Sequence, residues 1–127
     1  MTAAFGGQVR GRLCRAAPAA YDEARLIALE WLFDNEMRLG HDMEIVPRLR
    51  ESVARYPSHE HFWRQLMIAL CRSGRQADAL RVYRELRQWS TQELGLEPSP
   101  VAQECERAIL TQDVSLFFRF QAGCTPA

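Results

Sequence analysis

Three histidines are the residues of this chain best suited to hold a metal ion. His59 and His61 stand two positions apart, so on a helix their rings would point in different directions. His41 lies well before them, next to a glycine in a predicted loop. A zinc site needs ligands that converge from short spacings, and no third ligand stands at such a spacing here. We therefore predict that the chain has no metal site and needs no cofactor.

The four cysteines show no paired spacing, and they are Cys14, Cys71, Cys105 and Cys124. Disulfide-stapled domains are usually shorter and richer in cysteine, so we expect reduced thiols. A catalytic nucleophile needs a base within hydrogen-bond reach. The sequence contains no Ser/His/Asp, Cys/His or glycine-rich phosphate-binding pattern, and no apolar run approaches the ~20 residues of a membrane span. These observations predict a cytoplasmic protein that is not an enzyme and has no catalytic residues.

The charges are balanced, with 16 basic and 16 acidic residues, and every basic residue is an arginine. A dedicated nucleic-acid binder usually carries a clear basic excess. The densest group of arginines is Arg72, Arg75, Arg81, Arg84 and Arg87. Because Asp78 and Glu85 are interleaved with them, the pattern favours a solvated face of ion pairs. Direct binding of DNA by this chain is therefore not expected.

The elements that position these residues follow a repeat of 34 residues. Leu32, Arg38, Gly40, Arg50 and Glu51 recur as Leu66, Arg72, Gly74, Arg84 and Glu85. Each unit is predicted to be a helix, a break at the glycine and a second helix. This period is typical of tetratricopeptide repeats, whose helix pairs bury their apolar faces only by stacking.

Apolar periodicity and break residues predict about five helices. They cover residues 22–39, 43–56, 58–73, 76–94 and 100–110, with Asp22, Ser58 and Ser99 as N-caps. The predicted fold class is all-α, a tetratricopeptide-like stack of two helix pairs and a capping helix. The fifth helix is expected to bury Val101, Cys105, Ala108 and Ile109. The predicted division of the chain is a flexible arm over residues 1–20, a helical domain over 21–113 and an apolar tail over 114–127.

The first helix of each pair lines the inner groove of such a stack. By repeat register the groove residues are Ile27, Glu30, Asp34 and Met37, followed by His61, Arg64, Ile68 and Cys71. Grooves that clamp a C-terminal carboxylate carry several basic and amide side chains. Here only Arg64 offers that chemistry, and Glu30 and Asp34 would repel a carboxylate. We expect a short helix or an apolar segment of a partner protein to bind there.

The tail crowds four large apolar residues together, and they are Leu116, Phe117, Phe118 and Phe120. Two interpretations stand side by side. The tail folds back across the fifth helix within the monomer, or it forms an exposed apolar patch that pairs two copies as a homodimer.

Four segments of the chain resemble a known family. They are EARL at 23–26, RLG at 38–40, CRSGRQADAL at 71–80 and ELGLEPSP at 93–100, and the last is the most specific. The chain resembles the bacterial transcriptional activator domain, the helical domain of the Streptomyces antibiotic regulatory proteins. The resemblance covers about residues 20–113.

In that family the domain follows an N-terminal winged-helix domain that binds direct repeats in promoters. The helical part is implied to support dimerisation and contact with RNA polymerase. Twenty residues are too few for a winged helix, so the chain is expected to be a fragment or a free-standing copy that acts without one.

The resemblance implies a protein–protein interaction domain in the regulation of secondary metabolism. Its partner would be a transcription regulator or an RNA polymerase subunit. The alternative is a generic tetratricopeptide-type adaptor or scaffold with no link to transcription.

Overall fold

The computed structural model describes the backbone of residues 12–113 and the side chains of residues 22–113. This range contains five α-helices: α1 (Arg12–Arg38), α2 (Asp42–Arg55), α3 (Glu60–Arg72), α4 (Gln76–Trp89) and α5 (Pro100–Thr111). A π-helical turn, Ser90–Leu94, follows α4 directly. No strand occurs between residues 12 and 113. The predicted all-α, tetratricopeptide-like fold class is confirmed.

By its internal contacts the chain forms two units, one ending at Trp31 and the other beginning at Leu32. The described part of the first unit is the N-terminal part of α1. The second unit contains the end of α1 and all of α2 to α5. Within it α3 is the central helix, because α2, α4 and α5 all pack against it.

The first helix begins at Arg12, ten residues before the predicted start at Asp22. Part of the segment expected to be a flexible arm is therefore helical. Alanine fills positions 16, 17, 19 and 20, and alanine has the highest helix propensity of all residues. The prediction relied on an N-cap at Asp22 and gave this local preference too little weight. The division into arm, domain and tail otherwise stays a prediction, and residues 114–127 lie outside the described range.

The N-cap of α3 lies one residue later than predicted. Its N-cap residue is His59 rather than Ser58, and no side chain caps the first turn. The amide of His59 donates to the Tyr56 carbonyl (2.9 Å), and the Trp63 indole donates to the Pro57 carbonyl (2.8 Å). Ser58 therefore lies inside a turn that closes before the helix starts. The predicted cap at Ser99 is confirmed, because its hydroxyl accepts from the Ala102 amide at 3.2 Å.

Glycines end both first helices of the repeat, as the sequence predicts. Gly40 and Gly74 have φ angles of 83° and 82°, in the left-handed region that glycine enters without a Cβ clash. In each turn the glycine amide and the next amide donate to carbonyls three and five residues earlier, which is the Schellman arrangement. The chain then enters the second helix two residues after the glycine, at Asp42 and at Gln76.

The core lies between α3 and its neighbours. Its largest fully buried side chains include Phe33, Met37, Leu49, Phe62, Leu66, Met67, Leu70 and Ile109. The rings of Phe33 and Phe62 meet edge to face, with centroids 5.9 Å apart. On α5 the expectation for Val101 was wrong, since it is 43% exposed and Ala102 is buried in its place.

Candidate protein-binding groove

The end of α1 and the start of α3 bring three predicted groove residues together, and they are Asp34, His61 and Arg64. The His61 Nε2 lies 3.8 Å from the Asp34 Oδ2, which is ion-pair range but too long for a direct hydrogen bond. The Arg64 Nη2 lies 3.3 Å from the His61 Nδ1. Arginine can only donate, so the His61 Nδ1 accepts and its Nε2 carries a proton toward Asp34.

Gln65 belongs to the same cluster, although the sequence did not single it out. Its Nε2 donates to the Asp34 Oδ1 at 2.8 Å, and it is only 2% exposed. Asp34 itself is 5% exposed, and a buried carboxylate requires donors and positive charge around it. The one sequence feature that could have identified Gln65 is its polar side chain within an otherwise apolar stretch of α3. Asp34, His61, Arg64 and Gln65 are called the Asp34 cluster below.

Two other predicted groove residues, Met37 and Ile68, are buried, at 1% and 4% exposure. Both therefore contribute to packing, whatever else they contact. Ile27 and Glu30 lie in the first unit of the chain. The surface that a partner could reach within the second unit is therefore centred on His61 and Arg64, which are half-buried.

Arg64 also carries a hydrogen-bond donor that is not accessible at this surface. Its Nε is buried and has no hydrogen-bond acceptor among the described residues. A buried donor without an acceptor costs about 1–3 kcal/mol, so this nitrogen lowers the stability of the cluster rather than adding to it. Cys105 of α5 lies close enough to Arg64 for the guanidinium to affect its thiol.

Burial keeps the described thiols protonated. It raises the pKa of Cys105 to about 12 and also raises the pKa of Cys71. Both cysteines are free. Since the thiolate is the reactive form, neither behaves as a nucleophile at neutral pH.

Arg72, one of the arginines considered for phosphate contact, instead connects three helices. Its Nε lies 3.2 Å from the Asp42 Oδ2, and its Nη2 donates to the Met37 carbonyl at 3.0 Å. This carbonyl also accepts from the Gly40 amide at 3.0 Å in the turn that ends α1, so Arg72 is its second donor. Burial raises the pKa of the Asp42 carboxyl, although the Arg72 guanidinium opposes that shift.

Three more of the arginines considered for phosphate contact form ion pairs at or just before α4. Arg75 and Arg81 both contact Asp78, at 2.8 and 2.5 Å. Arg87 contacts Glu97 at 2.9 Å. The contacts with Arg75 and Arg81 lower the pKa of the Asp78 carboxyl, chiefly through the hydrogen bond from Arg75. The predicted Asp78–Arg81 pair is thus present, and the face is one of alternating charge.

One cluster of three potential metal ligands lies at the α1–α2 turn, and sequence reasoning missed it. Glu36, His41 and Glu44 offer ligand atoms within 4.8 Å of one another. Within it the His41 Nδ1 lies 2.7 Å from Glu36 and 3.6 Å from Glu44. The hydrogen bond to Glu36 is the main cause that raises the pKa of His41. The absence of a metal site stays a prediction.

Among the described residues, no helix combines the length and apolar character that a membrane crossing requires. The five helices between residues 12 and 113 define an all-α, tetratricopeptide-like fold. The chain belongs to the bacterial transcriptional activator domain family, whose sequence profile matches residues 2–110. The predicted family is therefore confirmed.

Two relatives from Streptomyces illustrate the similarity. The regulatory protein DnrI of Streptomyces peucetius is 43% identical over 95 residues, which is 75% of this chain and 35% of DnrI. The transcriptional regulator RedD of Streptomyces coelicolor is 41% identical over 103 residues, which is 81% of this chain and 29% of RedD. The chain thus spans about a third of the length of these relatives. Both are named as regulators, in agreement with the expectation that the chain is not an enzyme.

A solved structure shows the same fold. It is EmbR of Mycobacterium tuberculosis in complex with a low affinity phosphopeptide. The TM-score is 0.79 at 25% sequence identity, and the match covers 88% of this chain and 31% of the EmbR chain.

Proposed function

We propose that this chain is a protein–protein interaction domain of transcriptional regulation, and that the process it regulates is secondary metabolism. The observation that carries the proposal is the family match over residues 2–110. The similarity to DnrI and RedD supports the link to Streptomyces regulators. The partner is a transcription regulator or an RNA polymerase subunit, which places the chain in the cytoplasm.

Within this proposal the Asp34 cluster is the contact surface. Its members combine buried charge with half-buried donors, an arrangement that selects a partner by hydrogen bonding as well as by shape. Recognition of promoter DNA comes from the partner, because Arg72, Arg75, Arg81 and Arg87 are already ion-paired.

Affinity capture with the full chain tests this proposal. The unmodified chain, the double variant His61→Ala/Arg64→Ala and the control Arg84→Ala are incubated with host lysate, and bound proteins are identified by mass spectrometry. Arg84 is exposed on α4, away from the cluster, so it controls for the loss of one positive charge. We expect RNA polymerase subunits or a winged-helix regulator with the unmodified chain and the control, and a loss of at least tenfold with the double variant, ~1.4 kcal/mol.

Two outcomes separate the parts of the proposal. Equal recovery with all three proteins would place the contact elsewhere on the chain. Recovery of proteins unconnected with transcription would favour the adaptor interpretation instead.

A further inference from the structure

An open cleft of about 750 Å³ lies between α4 and α5 and shares no residue with the Asp34 cluster. From α4 it is lined by Tyr83 and Arg87, and from α5 by side chains between Pro100 and Leu110. Positions 100 and 110 are about 15 Å apart along an α-helix. An extended peptide advances about 3.3 Å per residue, so a segment of about five residues would span the cleft.

The side chains that line this cleft carry more negative than positive charge. Its acidic residues are Glu97, Glu104 and Glu106, and its basic residues are Arg87 and Arg107. Arg87 lies 2.9 Å from Glu97, and Arg107 lies 3.8 Å from Glu104. Arg87 acts on Glu106 only from beyond ion-pair distance. Glu106 therefore carries an unbalanced charge, since it forms no hydrogen bond or ion pair with the residues that the structure describes.

The surroundings of Glu106 make this unbalanced charge unfavourable. Its side chain is half-buried, so the carboxylate is partly removed from water. It also lies close to the buried Tyr83, because burial chiefly, and then the charge of Glu106, raise the pKa of the Tyr83 hydroxyl. Removing a charge from water costs free energy unless an opposite charge compensates it. A cation that enters the cleft would supply the compensation that Glu106 lacks in the free protein.

Apolar surface at the two ends of the cleft favours arginine as this cation. Leu110 is 55% exposed at one end, and Pro100 is exposed at the other. An arginine side chain can cover such surface with its methylene stem while its charged end stays polar. Its planar guanidinium also binds a carboxylate through two parallel hydrogen bonds. The cleft thus offers arginine both a carboxylate and apolar contact.

We propose that the cleft between α4 and α5 binds a short segment of a partner protein that carries an arginine, and that Glu106 pairs with this arginine. The neighbouring residues of the segment lie along α5 and contact the exposed side chain of Leu110. Charge complementarity selects the occupant, since Glu97 and Glu104 already have arginine partners and Glu106 has none. The proposal does not depend on the proposed function, because the Asp34 cluster takes no part in it.

NMR titration of the isotope-labelled full chain with short peptides tests this proposal. The probes are the acetylated and amidated peptides GARAG, GAQAG and GAEAG, which differ only in their central residue. We expect GARAG to shift the ring signals of Tyr83 and the amide signals of residues 103–110. It should bind about fivefold more tightly than GAQAG, the range of a single exposed ion pair. GAEAG should cause no shifts, because the carboxylates of the cleft repel it.

A pair of matched variants assigns the effect to one carboxylate. Glu106→Gln keeps the size of the side chain and removes its charge, so it should weaken the binding of GARAG about fivefold. It should leave the binding of GAQAG unchanged. The control is Glu85→Gln, which removes the same charge from an exposed position of α4 that does not line the cleft. Because salt screens charges that lie far from the peptide, this control should change the affinity for GARAG by less than about twofold.

Three results would overturn the proposal. Equal binding of GARAG and GAQAG would show that the cleft does not select a cation, and this comparison requires no change in the protein. Equal losses in Glu106→Gln and Glu85→Gln would show that only the overall charge matters. Shifts of the Tyr83 signals that grow with protein concentration, without any peptide, would make a second copy of the chain the occupant.

Discussion

At the scale of single residues, the repeat register predicted which side chains share a face but not which are covered. Asp34, His61 and Arg64 were placed together from spacing, and the structure brings them within hydrogen-bond or ion-pair distance. The same register placed Met37 and Ile68 in the groove, where they are buried. Spacing fixes the direction of a side chain on its helix, whereas burial depends on every neighbouring element. Burial therefore cannot be predicted from a local sequence pattern.

His41 should titrate above its ordinary pKa of 6.5, first because of its hydrogen bond to Glu36 and then because of nearby carboxylates. Because the folded pKa is raised, the protonated ring stabilises the fold. That contribution is fully present below pH 6.5 and is lost as the pH rises through the folded pKa. NMR titration of the full chain measures it. Glu36→Gln should move the His41 pKa back toward 6.5, and an unchanged value would show that Glu36 is not the cause.

Ala79 occupies a position where α4 meets its neighbours without any exposed surface. Ala79→Leu should overpack this contact and lower the free energy of unfolding by about 1–3 kcal/mol. Ala77→Leu is the matched control, because Ala77 is exposed on the same helix and its change should stay within ~0.5 kcal/mol. Urea unfolding of the three proteins measures both. Similar values for the two variants would show that the predicted packing of α4 is wrong.

At the scale of elements, break residues were the most reliable signals. Glycine and proline predicted the ends of α1 and α3 and the start of α5, because their backbone preferences act locally. Serine was less reliable. Ser99 and Ser58 both precede helices, yet only Ser99 caps one, since Ser58 is taken into the turn at 56–59. The π-helical turn after α4 had no sequence signal.

The two serines allow a matched test of capping. The Ser99 side chain accepts from the Ala102 amide and also donates to Glu60 at the start of α3, so it fixes α5 against α3. Ser99→Ala should lower the free energy of unfolding by about 1 kcal/mol, within the usual range of 0.5–2. Ser58→Ala should change it by less than ~0.5 kcal/mol, since Ser58 is exposed and caps no helix. Thermal or urea unfolding compares them, and a larger loss at Ser58 would contradict the observed start of α3.

At the scale of the whole molecule, the balanced charge predicted ion pairs rather than a basic surface for DNA. The sequence balances 16 basic against 16 acidic residues, and the structure pairs Arg75 and Arg81 with the Asp78 carboxylate. Balanced composition cannot show which charges meet. The Arg72–Asp42 pair joins residues 30 positions apart in sequence, and only the stacking of α3 against α2 brings them together. Long-range pairs of this kind required the structure.

The charge pattern leads to a prediction about DNA. Binding to duplex DNA draws much of its affinity from arginines and lysines that neutralise phosphates. Such binding weakens steeply as the salt concentration rises. Here such binding would first have to break existing ion pairs on α3 and α4. We therefore expect the full chain to give no gel shift at physiological salt on promoters of its host, with any binding at low salt equal for scrambled sequences. A winged-helix regulator from the same host serves as the positive control. A shift that survives physiological salt and distinguishes one promoter from its scrambled version would show that this chain recognises DNA directly.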